Sequence, residues 1–204
     1  MLFDDTYQTI KATSEGIFRD KGSKFIGYAF PITSEADIKP IIAKLKTEHA
    51  KARHFCWALR LSTDRNVFKL NDDGEPSGTA GRPILNTLLS ADVTNILVVV
   101  VRYFGGTLLG VPGLINAYKS ATIEALNENK IITKTVNDVY EIKFDYLVMN
   151  QVMRIVKDEE LQILKQNFDT NCTLTFEVRK ANLNPVLAKL EKVEGIVIKY
   201  LKTV

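Results

Sequence analysis

The chain has 204 residues, 46% of them apolar and 25% charged, with a formal net charge of +3. That balance excludes a disordered polyelectrolyte or a strongly basic nucleic-acid binder, and it allows one large core or two small ones. No apolar run approaches the ~20 residues of a membrane helix and the start MLFDDTYQTI has neither the basic nor the apolar region of a signal peptide, so a cytoplasmic protein with no membrane partner is expected.

The first strand candidate is KFIGYAFPI. Ser34, with Glu35 and Asp37 behind it, marks a helix start, and Ile38, Ile41, Ile42 and Leu45 then lie on one helical face. Pro40 sits in the first turn or two, where its missing N–H does least harm. HFCWALRLS alternates as a strand. Its pattern turns Phe55, Trp57, Leu59 and Leu61 to the core and sets His54, Cys56, Ala58 and Arg60 on the opposite face.

The stretch NDDGEPSGTAGRP, Asn71 to Pro83, gathers three acidic residues among glycines and prolines, and its Asp-Gly and Ser-Gly pairs are turn dipeptides. TAGRPILNTLLS reads as a helix with Thr79 near its cap and Arg82 exposed. NILVVVVRYF is a near-continuous apolar run, expected of a central strand covered on both faces. Beyond it GGTLLGVPG leads into LINAYKSATIEALNENK, where Leu114, Ala117, Tyr118, Ala121 and Ala125 form a helical stripe. Pro112 is expected at the first helical position.

The second half repeats neither these motifs nor their order. Val136, Val139, Ile142 and Phe144 predict a strand, and LVMNQVMRIVKD spaces its apolar residues as one helical stripe. Two strand-like runs, LQILKQNF and CTLTFEVRK, follow with a turn at Asp169 and Asn171 between them. NPVLAKLEK is a helix with Pro185 near its start, and Gly195 precedes the final strand IVIKYLKTV. The order β-α-β-β-α-β over 135–204 is that of a ferredoxin-like domain with both helices on one face of an antiparallel sheet. No internal repeat, low-complexity tract or flexible linker separates the halves.

Several constellations offer chemistry. A strand, a glycine-rich turn and a helix start at Gly105 to Gly113 can hold an anion on free N–H groups. Val111 and Pro112 occupy the Lys and Ser/Thr places of a Walker A loop, however, and no dinucleotide fingerprint is present, so the glycines read as shaping the helix start. Arg102 ends the apolar strand, where a guanidinium can grip phosphate or carboxylate; Lys119 lies among apolar helix positions and can snorkel to water. Cys56 and His54, two apart on one strand face, could supply a nucleophile and a base, against the plainer reading of an inert buried thiol. The acidic loop lacks the spacing of a calcium loop, and Ser77, His54 and Asp72 lack the surroundings of a hydrolase nucleophile. Two distant cysteines give neither a disulfide framework nor a zinc spacing, so no metal and no cofactor is expected.

NDDGEPSGTAGRPIL and VVVVRYFGGTLLGVPGLINAY, with KGSKFIG and RHFCWALRL upstream, resemble the bacterial YigZ-type branch of the Impact family. The resemblance runs from about Lys21 to Leu126. It implies an α+β protein: an N-terminal domain, 1–134, with the ribosomal protein S5 domain 2-like fold, then a C-terminal ferredoxin-like domain, 135–204, similar to the last domain of elongation factor G. Family members are not established enzymes, and their eukaryotic relatives act in translation control through a large activator protein. The RWD domain of those relatives is not found here, so that particular partner is not expected. The residues expected to bind RNA, the ribosome or a protein partner are Lys24, Arg53, His54, Asp72, Asp73, Glu75, Ser77, Thr79, Arg82, Arg102, Gly105, Gly106, Gly110 and Lys119. The leading expectation is a non-enzymatic regulatory binding protein associated with translation. Its competitors are an enzyme built on Cys56 and His54 or on Asp72 to Glu75, and a small-molecule sensor acting through the ferredoxin-like domain.

Overall fold

A computed structural model of the chain describes residues 5–169 and 172–204, which gather into two compact units of mixed α and β structure. One unit spans Tyr7–Lys134; the other comprises Thr135–Val204 with Asp5 and Thr6.

As far as residue 135 the elements are β1 (Thr6–Ile10), β2 (Ser14–Asp20), β3 (Ser23–Pro31), α1 (Ile38–Glu48), β4 (His54–Leu61), β5 (Val67–Asn71), α2 (Gly81–Ser90), β6 (Ile96–Tyr103), α3 (Gly110–Asn127) and β7 (Ile131–Thr135). Strands β2-β3-β6-β4-β5 form one antiparallel sheet, while β1 and β7 pair separately. The valine run is the middle strand, β6, and every residue from Ile96 to Arg102 is buried because both faces of the sheet are covered. On one face α2 and α3 pack Leu85, Leu88, Tyr118 and Ala121 against Phe25, Cys56, Val98 and Val100. On the other, Leu45 of α1 joins Phe55, Leu59, Leu97 and Val99, with Ile38, Ile41 and Ile42 partly buried beside them.

Helix α3 lies directly on the sheet because two strand positions have no side chain. A Cβ on Gly27 would stand 2.3 Å from the Ala121 carbonyl oxygen, and one on Gly16 would stand 2.2 Å from the Ala125 amide nitrogen. Ala117, Ala121 and Ala125 supply the matching small helix face, so backbone meets backbone with no void.

Two expectations, on the β4 face and on Pro112, need correction, and two further details were not foreseen. The β4 alternation is present, but the face carrying Cys56 and Ala58 is the one that α2 and α3 cover, and both residues are fully buried in the larger core. Thr79 lies next to the cap of α2, as expected, but supplies no capping bond: its hydroxyl donates to the Pro76 carbonyl at 2.6 Å, and Ala80 holds the cap position without a side-chain bond. Pro112 is the third residue of α3, because Gly110, with φ of +68°, starts the helix two residues earlier. Strands β1, β2, β5 and β7 carry no apolar run that marks them; β5 and β7 are mostly exposed, and pairing with a neighbour rather than burial makes them strands.

The second unit runs β8 (Asn137–Phe144), α4 (Met149–Asp158), β9 (Gln162–Asn167), β10 (Cys172–Arg179), α5 (Leu183–Leu190) and β11 (Val197–Thr203). Its antiparallel sheet has the order β11-β8-β10-β9. Val152 and Val156 of α4 and Val186 and Leu190 of α5 share one core with Ile142, Leu174 and Phe176 of the strands, so both helices lie on the same sheet face. The Asp169 amide donates to the Asn167 side chain at 3.1 Å, closing the turn start; Asn171 lies outside the described residues. Within this unit Asp5 accepts from Arg179 Nε at 2.7 Å and Nη2 at 2.8 Å, a bidentate pair that holds the Asp5 carboxyl below its ordinary range.

Candidate functional site

The acidic loop leaves β5 at Asn71 and enters α2 at Gly81, close to where β6 ends and the glycine turn begins. Its tight turns are possible because Gly74 and Gly78 adopt φ of +85° and +77°. Each of its carboxylates is turned to a protein donor. Asp72 Oδ1 accepts from the amides of Ala80 at 3.0 Å and Gly81 at 2.8 Å, and Oδ2 accepts from Gly78 at 2.9 Å. It is therefore the cap of α2, reaching the helix N-terminus from across the loop, where an anion is favoured. Asp73 Oδ2 accepts from the Phe55 amide at 2.7 Å, tying the loop to the start of β4.

Glu75 points inward. Its Oε1 accepts from Arg102 Nη1 at 2.5 Å and from the Tyr118 hydroxyl at 2.8 Å, and the side chains of the ion pair are only 4% and 7% exposed. The Arg102 guanidinium lies 5.4 Å from the Phe25 ring centroid and 5.5 Å from that of Phe104, while its buried Nε lacks a hydrogen-bond partner. The strand register explains the meeting: Arg102 pairs with both Phe25 and His54 across β6, so all three project toward the helix-covered face. Arg102 thus joins the acidic loop to the strand that leads into the glycine turn.

The thiol and the imidazole next to this network are already engaged. Cys56 Sγ lies 2.9 Å from the Asp72 carbonyl and 3.3 Å from the Tyr118 hydroxyl, and burial pushes its pKa well above the ordinary thiol range. Burial likewise raises the Tyr118 hydroxyl. His54 Nδ1 bonds the Asp73 carbonyl at 2.9 Å and so carries its proton there. Cys56 and His54 direct their donors at two different carbonyls, which is not the geometry of a nucleophile and its base. Ser77 is exposed, and Asp72 spends its carboxylate on three amides, so Ser77, His54 and Asp72 do not form a relay. Among the described residues no group of three or more His, Cys, Asp or Glu side chains is arranged to hold a metal ion.

The glycine turn is also a packing device in part. A Cβ on Gly105 would fall 1.9 Å from the Gly22 carbonyl carbon, and the Gly105 amide donates to Ser23 Oγ at 3.1 Å. Gly106 and Gly110 are exposed, with positive φ.

The expected binding residues therefore divide. His54, Asp72, Asp73, Glu75, Thr79 and Arg102 belong to one bonded or buried cluster at the sheet end. Lys24 pairs with Tyr103 on the opposite face of β3, half-exposed, and Arg53 is exposed just before β4. Arg82 and Lys119 line a separate groove between α2 and α3 with Gly78 at one end. Sequence reasoning placed Tyr118 only as a core residue. It also missed a chain on the α1 face, where His49 bonds Tyr28 through Nε2 and Tyr103 through Nδ1, each at 2.8 Å. Burial and the charges of Glu15 and Glu48 push the Tyr28 hydroxyl up to about 12. No local pattern announces that chain, because its members come from three elements.

This architecture is that of a two-unit protein of mixed α and β structure, whose most elaborate polar cluster is committed to holding a loop in place. The Impact N-terminal domain matches residues 21–126. Over 186 residues the chain is 35% identical to an IMPACT family member of Haemophilus influenzae, covering 89% of this chain and 90% of that one. Over 172 residues it is 31% identical to the IMPACT family member YigZ of Escherichia coli, covering 83% and 84%. A crystal structure of a hypothetical protein, 27% identical, covers 97% of this chain and 98% of its own with a TM-score of 0.75. The chain belongs to the IMPACT family.

Proposed function

We propose that this protein is a cytoplasmic, non-catalytic regulator associated with translation, which docks on structured RNA of the ribosome through the sheet end that carries the acidic loop. Family membership supports the translation-related role. The engagement of all three loop carboxylates with protein donors, Glu75 buried and Asp72 and Asp73 half-exposed, carries the docking reading. With Asp72, Asp73 and Glu75 bonded to protein donors, Arg19, Lys21 and Arg53 stand exposed with Phe104 beside the half-exposed Lys24, a cationic and aromatic surface suited to phosphate and base contact.

The buried thiol and the engaged histidine speak against the enzyme reading. The S5 domain 2-like and ferredoxin-like assignments, with a boundary at 134/135, belong to the same proposal. The sheet order β11-β8-β10-β9 with α4 and α5 on one face supports the second of them.

Titration of structured ribosomal RNA at a series of salt concentrations tests the reading. Binding whose logarithm falls linearly with the logarithm of salt is expected, with a shallower slope in Lys24→Ala and Arg53→Ala variants. Binding that ignores salt, or no binding while a translation protein is captured instead, would replace the RNA target with a protein one.

A further inference from the structure

A groove of about 610 Å³ runs between α2 and α3, lined at Gly78 by the acidic loop but by none of the residues that bond Glu75. We propose that it is a binding site for a small amphiphilic anion, an apolar body carrying one carboxylate or phosphate. This goes beyond the RNA-docking reading and does not rest on it.

Two helical stripes build the groove. Ile115, Lys119 and Ile123 repeat every four residues along α3, and Pro83 and Thr87 stand four apart on α2 with Ala91 at its C-cap. The floor is apolar. Ile115 and Ile131, 39% and 41% exposed, both line the groove, so its open apolar surface is shared between residues and not a single exposed side chain. The charged residues lining the groove are both cations, Arg82 and Lys119, and among the described residues neither is engaged in an ion pair. No carboxylate lines it. Its size falls in the range of small-ligand sites, which combine mostly apolar walls with a few polar groups that fix orientation. An apolar ligand without charge would leave the two cations unanswered; a small inorganic anion would leave the floor wet. Charge complementarity and shape together select a molecule that has both parts.

The test uses the full chain with three probes: dodecanoate, dodecyl phosphate and dodecanol, followed by calorimetry and by amide chemical shifts. Saturable binding of one anion per chain is expected, with the largest shifts on residues 82–91 and 115–127. The ratio of dodecanoate to dodecyl phosphate affinity identifies the preferred headgroup. Dodecanol, and either anion with the Arg82→Ala/Lys119→Ala variant, should bind about tenfold or more weakly, because the charge-assisted contacts are gone. Both side chains are exposed, so the variant keeps its fold, which its amide dispersion checks directly. Dodecanol binding as tightly as the anions, shifts centred on the second unit, or no saturation by about 1 mM would each overturn the proposal. Loss of RNA binding in the Lys24 and Arg53 variants would leave it untouched.

Discussion

Truncating Glu75 to alanine would leave the Arg102 guanidinium buried without its counter-charge and the Tyr118 hydroxyl without its acceptor. Breaking such a pair from one side costs about 3–5 kcal/mol, since the surviving charge keeps its desolvation penalty. Urea unfolding of Glu75→Ala should show a loss of that order, and adding Arg102→Met should recover much of it by removing the lone charge. An equal loss in the double variant would show that the pair is not the source. The same burial governs Cys56, which should resist alkylation in native buffer and react once urea opens the core. At this scale the sequence located the acidic loop and its neighbours by composition alone. It could not say that Glu75 points inward and Ser77 outward, because two positions along one irregular loop differ only in backbone direction.

Helix α2 depends on a residue outside itself. Asp72→Ala removes the acceptor for the Gly78, Ala80 and Gly81 amides and should cost about 1–2 kcal/mol, the upper part of the range for lost caps. Thr79→Ser keeps the hydroxyl that bonds the Pro76 carbonyl and leaves the Asp72 acceptor in place, so it should cost less, which distinguishes the true cap by thermal melting. In the second unit, Asp5 has a folded pKa below its unfolded one, so its pairing with Arg179 stabilises above the ordinary carboxylate range and is lost as pH falls through the lowered value. Asp5→Asn should therefore melt below the parent at neutral pH, with the gap closing toward acid; a constant gap would assign the loss to packing. Long elements were legible because periodicity accumulates over turns, as in α3 and β6. Strands β1, β2, β5 and β7 were not, since their burial depends on what pairs with them.

Each unit has its own core: the first has clusters on both faces of its sheet, and the second has one beneath α4 and α5. A fragment of residues 7–134 should accordingly unfold in a single cooperative melt, and a fragment lacking cooperative unfolding would show that its stability draws on the remainder. The net charge of +3 is too small to drive nucleic-acid binding by itself. Any such binding must come from local separation of charge, with the loop carboxylates bonded to protein donors and Arg19, Lys21 and Arg53 left in solvent.

By itself the sequence determined the central strand, the amphipathic helices, the β-α-β-β-α-β order of the second half and the motifs that mark the family. All of these follow from residue spacing within one element or from contiguous strings. Only the tertiary structure decided that Cys56 lies in the main core, that Asp72 caps α2, that Glu75 meets Arg102 and Tyr118, and that Arg82 and Lys119 share a groove. Those outcomes depend on which element covers which face, a property of packing between segments far apart in the chain.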